Sequence, residues 1–356
     1  MIFVLFLTNS LLLLVALINF ATMRRPLEAD NIDTSILVLL PVRNEEENIA
    51  RVLSELENQV NVPHLQVLVI NDNSEDRTRE IADRLTSSRI SVMNASQPED
   101  GWLGKVNALQ SAYLSSQSAD VVISIDADVH FESDAIARAV KTLHASHLDF
   151  ISPYPRQIAD TWAERLAQPL LQWSWMSTVL LRGAERLPMK STVICNGQFL
   201  VMKGAALKTI NGFESVAHKV LDDIELGRTF VEAGFRGAVI DGSALSSTRM
   251  YSSFSQVRDG YGKSLSAAFG SYFGSAVAAL FMATTAIFTF ASALTGNLLG
   301  IGATLAIIGT RIISAAASGT RIRDSFLHPF SAALFIYLLY FSWRNKGAVQ
   351  WKGRTV

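Results

Sequence analysis

The stretch Val121-Val122-Ile123-Ser124-Ile125-Asp126-Ala127-Asp128 decides how the rest of the chain is read. Its first five residues are mostly β-branched and too few for a helix, so they form a buried strand. Two carboxylates follow at once, and Ser133 then opens a helix as its N-cap. The same grammar occurs twice upstream. Ile36–Leu40 is an apolar strand, followed by a turn at Pro41 and a helical stretch from Asn48 to Gln59. Val67–Ile70 is a second strand, ending in Asn71-Asp72-Asn73-Ser74, with a charged helix from Glu75 to Leu85 after it. Strands spaced by helices predict a mostly parallel α/β sheet. Ligands of such sheets bind beyond the carboxyl ends of the strands. Three polar clusters stand at that edge.

Outside this middle region the composition changes. Of 356 residues, 49% are hydrophobic, and the mean hydropathy of +0.25 is high for a protein without membrane contact. The excess sits at the two ends. Ile2 to Phe20 is nearly free of charge and close to the roughly 20 residues a helix needs to cross a bilayer. No Lys or Arg precedes this run and Arg24 and Arg25 come directly after it, which favours a retained anchor over a cleaved signal peptide. The positive-inside bias then puts the middle of the chain in the cytoplasm. From about Ser275 the chain is apolar again, with spans near Ala276–Leu294, Leu298–Ala317 and Phe326–Trp343. Helices are the form such segments must take. Three spans would place the basic Arg344, Lys346, Lys352 and Arg354 outside, so either one segment is interfacial or the charge rule yields. A formal charge of −1 gives no basic field for nucleic acid. The single cysteine, Cys195, excludes an internal disulfide and is compatible with a reducing compartment.

Each polar motif has two readings when taken alone. Asp126-Ala127-Asp128 can hold a hard divalent cation together with phosphate oxygens, or it is a polar loop. Asp72 can accept hydrogen bonds from a base or ribose, but Asx residues equally shape turns. In Asp100-Gly101-Trp102-Leu103-Gly104-Lys105, a helix start and a lysine favour an anion, and an ordinary surface turn is the other reading. Asp222-Asp223 opens a helix, where the dipole stabilises carboxylates structurally; a base role needs one of them to face an acceptor hydroxyl. Thr161–Arg182, with Trp162, Trp173 and Trp175, is an interfacial helix or a buried one. Cys195, His130 and His218 have no companions at metal-binding spacing and read as structural.

Taken in order, Pro41-Val42-Arg43-Asn44-Glu45, Ile70-Asn71-Asp72-Asn73-Ser74, Gly-Trp-x-Gly-Lys at 101–105, Asp126-Ala127-Asp128, Asn196-Gly197-Gln198 and Asp222-Asp223-x-x-Leu-x-Arg form a series. That series closely resembles glycosyltransferase family 2, over roughly Ile36 to Gly242. Within it the Gly-Trp-x-Gly-Lys loop, Thr248-Arg249-Met250-Tyr251, Gly260-Tyr261-Gly262-Lys263 and Trp351-Lys352-Gly353-Arg354 look like the membrane-bound branch that glycosylates lipids, such as hopanoid-associated, carotenoid-acid and ceramide glycosyltransferases.

The resemblance implies a GT-A fold, a mostly parallel mixed sheet with flanking helices, joined to an anchor helix and C-terminal transmembrane helices. The implied segments are an anchor at 1–23, a catalytic domain at 34–245, an acceptor-side stretch at 246–273, membrane helices at 274–343 and a basic tail at 344–356. Pro41, Arg43 and Glu45 would line the nucleotide pocket, with Asp72 on the base, Lys105 on the diphosphate and Asp126 near the ribose. Asp128 would ligate Mg²⁺ or Mn²⁺. Asp223 would be the general base, Asp222 its supporting neighbour, and Arg228 would brace their helix. Gln198, Arg249 and Lys263 would stand on the acceptor side. Two departures matter: Asn71 replaces the usual Asp, and the Gln-x-x-Arg-Trp signature of processive synthases is missing. The implied reaction is inverting transfer of one sugar, by default from UDP-hexose with GDP-mannose open, to a lipid at the cytoplasmic face of the cell membrane. A polysaccharide synthase, a nucleotidyltransferase and a non-catalytic membrane scaffold are the competing readings. The acidic Pro-Val-Arg-Asn-Glu-Glu-Glu loop at 41–47 argues against a triphosphate site.

Overall fold

The computed structural model describes residues 1–116, 119–346, 350–351 and 354–355; Lys352 and Gly353 of the basic tail lie outside them. Strands are β1 (Ile36–Val42), β2 (Leu65–Asn71), β3 (Ile90–Asn94), β4 (Val121–Ile125), β5 (Val129–Phe131), β6 (Phe150–Tyr154), β7 (Arg156–Gln157), β8 (Phe199–Lys203), β9 (Gly237–Asp241) and β10 (Ser246–Thr248). Seven of them make one mixed sheet in the order β3-β2-β1-β4-β8-β6-β9. The β1–β2, β2–β3, β1–β4 and β6–β9 pairs are parallel. Only β8 is antiparallel to its neighbours, β4 and β6.

Both faces of the sheet are covered, so its central strands are apolar at nearly every position. Val38, Leu40 and Ile123 point to one side and pack with Val52, Leu56, Ile136 and Val140. Leu37, Leu39 and Val122 point to the other and pack with Val106, Leu109, Leu226 and Phe230. That division is the period-2 alternation of strand side chains. β1 pairs with β4 only through Leu39, so Pro41, which has no amide hydrogen, lies past that ladder.

Register explains why the site forms where it does. β1 and β2 end side by side at Val42 and Asn71. The reversed β8 begins at Phe199 opposite Ile125, the last residue of β4. The loop before β8, Asn196-Gly197-Gln198, is therefore delivered to the edge where the parallel strands finish.

The elements reach further than sequence alone predicts. β1 extends to Val42 and β2 starts at Leu65, while the charged helix is shorter, Thr78–Arg84. Ser133 is not an N-cap: the helix Ala135–Ser146 begins after Asp134, with no side-chain cap hydrogen bond. Ser133 instead gives its carbonyl to the Val60 amide.

Contacts divide the chain into two compact units that interleave in sequence. One, Arg24–Arg156 with Gly183–Thr248, holds the sheet. The other, Met1–Met23 with Gln157–Arg182 and Arg249–Val356, gathers the apolar helices. Among the described residues, four helices are long and apolar enough to cross a membrane: Ile2–Thr22, Tyr272–Leu294, Leu298–Ser318 and Ile322–Arg344. The three C-terminal spans expected from sequence fall within the last three of these.

Inside this unit the Trp162–Thr178 helix starts with a capping box, Thr161 and Glu164 satisfying each other's backbone. Its Leu170 and Trp173 are buried with Leu12, Met282, Ile307 and Ala332, so the buried reading of this Trp-rich stretch prevails along that face. Burial pushes the Glu164 carboxyl up, but Arg249 and the Thr161 cap outweigh it and hold it at about 2. The Ile2–Thr22 helix carries two buried asparagines. Asn9 Nδ2 donates to the Thr285 and Ala303 carbonyls, both at 2.9 Å. Asn19 Nδ2 donates to Met176 and Val179, and its Oδ1 accepts from the Leu181 amide at 3.0 Å. These bonds close the end of the Trp162–Thr178 helix, whose last carbonyls have no intrahelical partner.

Candidate active site

The strand ends of the sheet unit bring most of the acidic motifs together. β4 ends at Ile125, and Asp126 and Asp128 lie in the tight turn that leads to β5. Lys105, in the first turn of the helix Gly104–Ser115, reaches Asp126 Oδ1 with its ammonium at 2.7 Å. The same ammonium interacts with Asp222 and Asp223. Burial works against its charge, but these three carboxylates more than compensate and hold Lys105 firmly protonated.

Asp223 stands in the first turn of the helix Asp222–Glu232. Its Oδ2 accepts the Gly197 amide at 2.8 Å and its Oδ1 the Ile224 amide at 2.8 Å. The N-cap of that helix is Leu221, so neither Asp222 nor Asp223 serves as the cap. Burial first, then Asp222, pushes the Asp223 carboxyl up to about 6, against the pull of Lys105 and the two amides. A methyl at Gly197 would be tight, and its neighbours would have to give by a few tenths of an ångström. That Cβ would lie 3.2 Å from Lys105 Nζ and 3.4 Å from Asp223 Cβ.

Asp128 is a second raised carboxyl, at about 6, through burial and then Asp126 and Glu45; Thr248 Oγ1 donates to it at 3.2 Å and opposes the rise. Thr248 ends β10, whose antiparallel pairing with β5 sets it opposite Val129. Asp126, Asp222 and Asp223 thus share one lysine, and Asp128 stands with Asp126 and Glu45. A diphosphate could not approach five carboxylates without added positive charge. Asp128 keeps a carboxylate that Lys105 does not engage, and Mg²⁺ is commonly held by one or two carboxylates with substrate phosphates. No group of three His, Cys, Asp or Glu side chains forms a ready metal cage among the described residues. A divalent ion fits here only with oxygens from substrate and water completing its shell.

The β1 and β2 ends form the adjoining wall. Arg43 is buried and donates Nη1 to the Asp72 carbonyl at 3.0 Å, and its Nη2 lies 3.6 Å from Glu75. Asp72 is itself buried. Glu45 accepts from Asn48 Nδ2 at 2.8 Å, and its amide donates to Thr78 Oγ1 at 2.7 Å. Asn44 and Asn73 both take the left-handed backbone conformation, φ 51°, which asparagine tolerates. The Asn44 amide donates to Ser74 Oγ and Asn44 Oδ1 accepts from Glu75, so the two loops brace each other. Asn71 pairs with Asn94 and accepts the Ser74 amide, a turn-building role. Gln198 is buried beside Asn196, whose Nδ2 donates to Gln198 Oε1 at 2.9 Å. Arg228 joins Glu225 on its own helix to the Lys190 carbonyl and so fastens that helix.

Arg249 and Lys263 belong to the unit of apolar helices. Arg249 is engaged there with Glu164 at 2.9 Å and Asp160 at 3.7 Å. Residues without a sequence signal also surround the acids. Tyr154 at the end of β6 and the buried Cys195 are each pushed up by burial and by the Asp223 charge. His218 holds the Gly101 carbonyl at 2.7 Å, and His130 meets Glu55 at 3.2 Å, both structural contacts.

Residues 37–210 match the sequence model of Glycosyl transferase family 2. The 4,4'-diaponeurosporenoate glycosyltransferase of Staphylococcus haemolyticus is 26% identical over 239 residues, 65% of this chain and 61% of that protein. The chain therefore spans about six tenths of the length of that relative. The enzyme of the same name from Staphylococcus aureus strain MRSA252 is 22% identical over 90% of this chain and 88% of its own length. A mannosyltransferase from Pyrobaculum calidifontis, solved in complex with GDP-Man and Mn²⁺, has the same fold at a TM-score of 0.53 with 14% identity. That likeness covers 97% of this chain and 98% of the other.

Proposed function

We propose that this chain, whose residues 37–210 match the Glycosyl transferase family 2 model, is a glycosyltransferase that transfers a single sugar, with inversion, from a nucleotide-sugar donor to a membrane lipid. One observation carries this reading: a buried carboxyl raised to about 6, Asp223, shares a lysine with Asp126, the acid directly after β4. A carboxyl near 6 is a carboxylate at neutral pH and still basic enough to take a proton.

In the proposed reaction the acceptor oxygen attacks the anomeric carbon from the face opposite the leaving group. The new C–O bond forms as the C–O bond to the diphosphate breaks, and Asp223 takes the acceptor's proton. Asp222, beside it, keeps the Asp223 carboxyl basic. The amides of Gly197 and Ile224 fix the rotamer of Asp223, so the base is oriented before substrate arrives. Lys105 stands ready to donate to a phosphate oxygen in place of Asp126. Mg²⁺ or Mn²⁺ bound at Asp128 supplies neutralisation of the charge that builds on the departing nucleoside diphosphate. Arg43, Glu45 and Asp72, with Pro41, hold the nucleotide at the adjoining strand ends, and Asp126 lies near its ribose. Gln198, Arg249 and Lys263 serve the acceptor side.

A lipid acceptor is supported by the four apolar helices and by the carotenoid-acid substrate in the relatives' name. A cytoplasmic active site is supported by Arg24 and Arg25 directly after the first of these helices. Single transfer, rather than polymer synthesis, is supported by the missing Gln-x-x-Arg-Trp signature.

The test is release of nucleoside diphosphate by the detergent-solubilised chain, across UDP-glucose, UDP-galactose, UDP-GlcNAc and GDP-mannose, with Mg²⁺ or Mn²⁺ and membrane lipid. Release from one donor, paired with a new glycolipid bearing one sugar and lost in Asp128→Ala, is the expected result. A product with growing sugar chains, or no release with any donor, would overturn the reading.

A further inference from the structure

Arg311 lies within the apolar helix Leu298–Ser318 and is 2% exposed. A guanidinium stays charged in proteins, and an ionisable side chain at membrane depth is costly unless something pairs with it. The carboxylate with which Arg311 interacts is Asp324. Asp324 is already gripped by Arg165, whose Nε lies 3.0 Å from each of its oxygens and whose Nη2 also reaches Oδ1. Asp324 is thus bonded to Arg165 and acts on Arg311 only through its field. The other acids of this segment are committed as well: Glu164 to Arg249, and Asp160 to Arg249 and Arg321. One positive charge is left over.

The leftover charge faces a cleft. Arg311 lines it together with Gln168, Gln172, Ser314 and Ser318, all within the unit of apolar helices. Arg311 Nη1 is buried and makes no hydrogen bond among the described residues, and neither does Gln168 Nε2. Gln168 is 1% exposed, and its Oε1 already accepts from Tyr261 at 2.9 Å, which turns the amide so that the donor end remains. Two unmet donors, one of them cationic, demand an acceptor, and each unmet one costs about 1–3 kcal/mol, more where it is charged. A water would satisfy a hydrogen bond but leave the charge. The cleft has room for about one oxygen atom, about 10 Å³, so one oxygen of a head group can enter it and a sugar or a nucleotide cannot.

We propose that this cleft binds the acidic oxygen group, carboxylate or phosphate, of a membrane lipid, with Arg311 and Gln168 as its donors. An acidic lipid cancels the extra charge and keeps its hydrocarbon chains in the bilayer. Such a group could belong to the acceptor or to a resident phospholipid. Only the choice of the acceptor rests on the function proposed above.

The experiment uses the full chain, delipidated in neutral detergent, and reads thermal stability against added lipid. Mixed micelles with phosphatidylglycerol or palmitate are expected to raise the melting temperature of the wild type, and those with phosphatidylcholine or methyl palmitate are not. Arg311→Gln is expected to abolish the rise and Gln168→Leu to reduce it, while Arg311→Lys retains part of it. Without lipid, Arg311→Gln should melt no lower than the wild type, because an uncompensated buried charge has been removed. The same rise in wild type and Arg311→Gln, or no rise with either acidic lipid, would overturn the proposal. These readouts need no turnover, so they fail independently of the transferase reading. Steady-state kinetics separate the two sources. A KM for acceptor at least tenfold higher in Arg311→Gln, with kcat and the donor KM unchanged, identifies the acceptor. An unchanged acceptor KM beside the lost thermal rise identifies a resident lipid.

Discussion

Asp223 is held between opposite demands. Burial and Asp222 raise its carboxyl to about 6, while Lys105 and the Gly197 and Ile224 amides limit the rise. Because the base works ionised, kcat/KM should fall about tenfold per pH unit below that value and level off above it. Neutralising the lysine removes a pull that lowers the Asp223 value, so Lys105→Met should move this acid limb to higher pH as well as reduce the rate. A limb left in place by that substitution would mean the base is another group. Gly197→Ala puts a methyl against Lys105 Nζ and Asp223 Cβ and should slow turnover with little change in melting temperature. The acids were readable from the order of their motifs, which chance rarely makes, and Asp72, Asp126 and Asp128 also because they come just after apolar strands. Tyr154 was not, since nothing local distinguishes it, and Thr248, noticed in another motif, and Cys195, read as structural, gave no sign of standing beside the acids; the fold carries them to the site.

Among the elements, β8 is the one that sequence periodicity hid. Phe199-Leu200-Val201-Met202-Lys203 is a short apolar run that reads equally as strand or helix. Its reversal in the sheet depends on pairing with β4 and β6, information that no local pattern holds. The helix Asp222–Glu232 sits close over the loop before β8. A Cβ at Gly227 would lie 2.6 Å from Cys195 Sγ and 2.7 Å from Val193 Cγ1. Gly227→Ala should therefore destabilise the sheet unit by about 1–3 kcal/mol, read as a lower melting temperature, with activity falling too because Asp223 shifts. The Trp162–Thr178 helix offers a pH test. The folded Glu164 carboxyl, at about 2, lies below its ordinary 4.5, so its stabilising contribution is full above about 4.5 and lost as pH falls through 2. Glu164→Gln should melt lower than wild type at pH 7, and the gap should narrow below pH 4.5. An equal gap across that range would show that Arg249 and Glu164 contribute nothing through charge.

For the molecule as a whole, apolar composition at the two ends announced helices of membrane length, and the described residues contain four. What composition could not convey is that the Ile2–Thr22 helix is bonded into its unit by two asparagines rather than tethering it loosely. Asn9 and Asn19 are fully buried and together reach Thr285, Ala303, Met176, Val179 and Leu181. Deleting residues 1–23 should thus cost more than a membrane attachment: the truncated chain is expected to aggregate even in detergent, whereas a simple anchor could be removed to leave an active enzyme. The central claim is that Asp223 takes the acceptor's proton while donor binding is the work of other residues. The direct measurement is turnover and donor affinity of Asp223→Asn, side by side with the wild type. The account predicts a loss in kcat of about 10²–10⁴-fold with the donor dissociation constant within a few-fold of normal; near-normal turnover, or donor binding lost together with it, would contradict it.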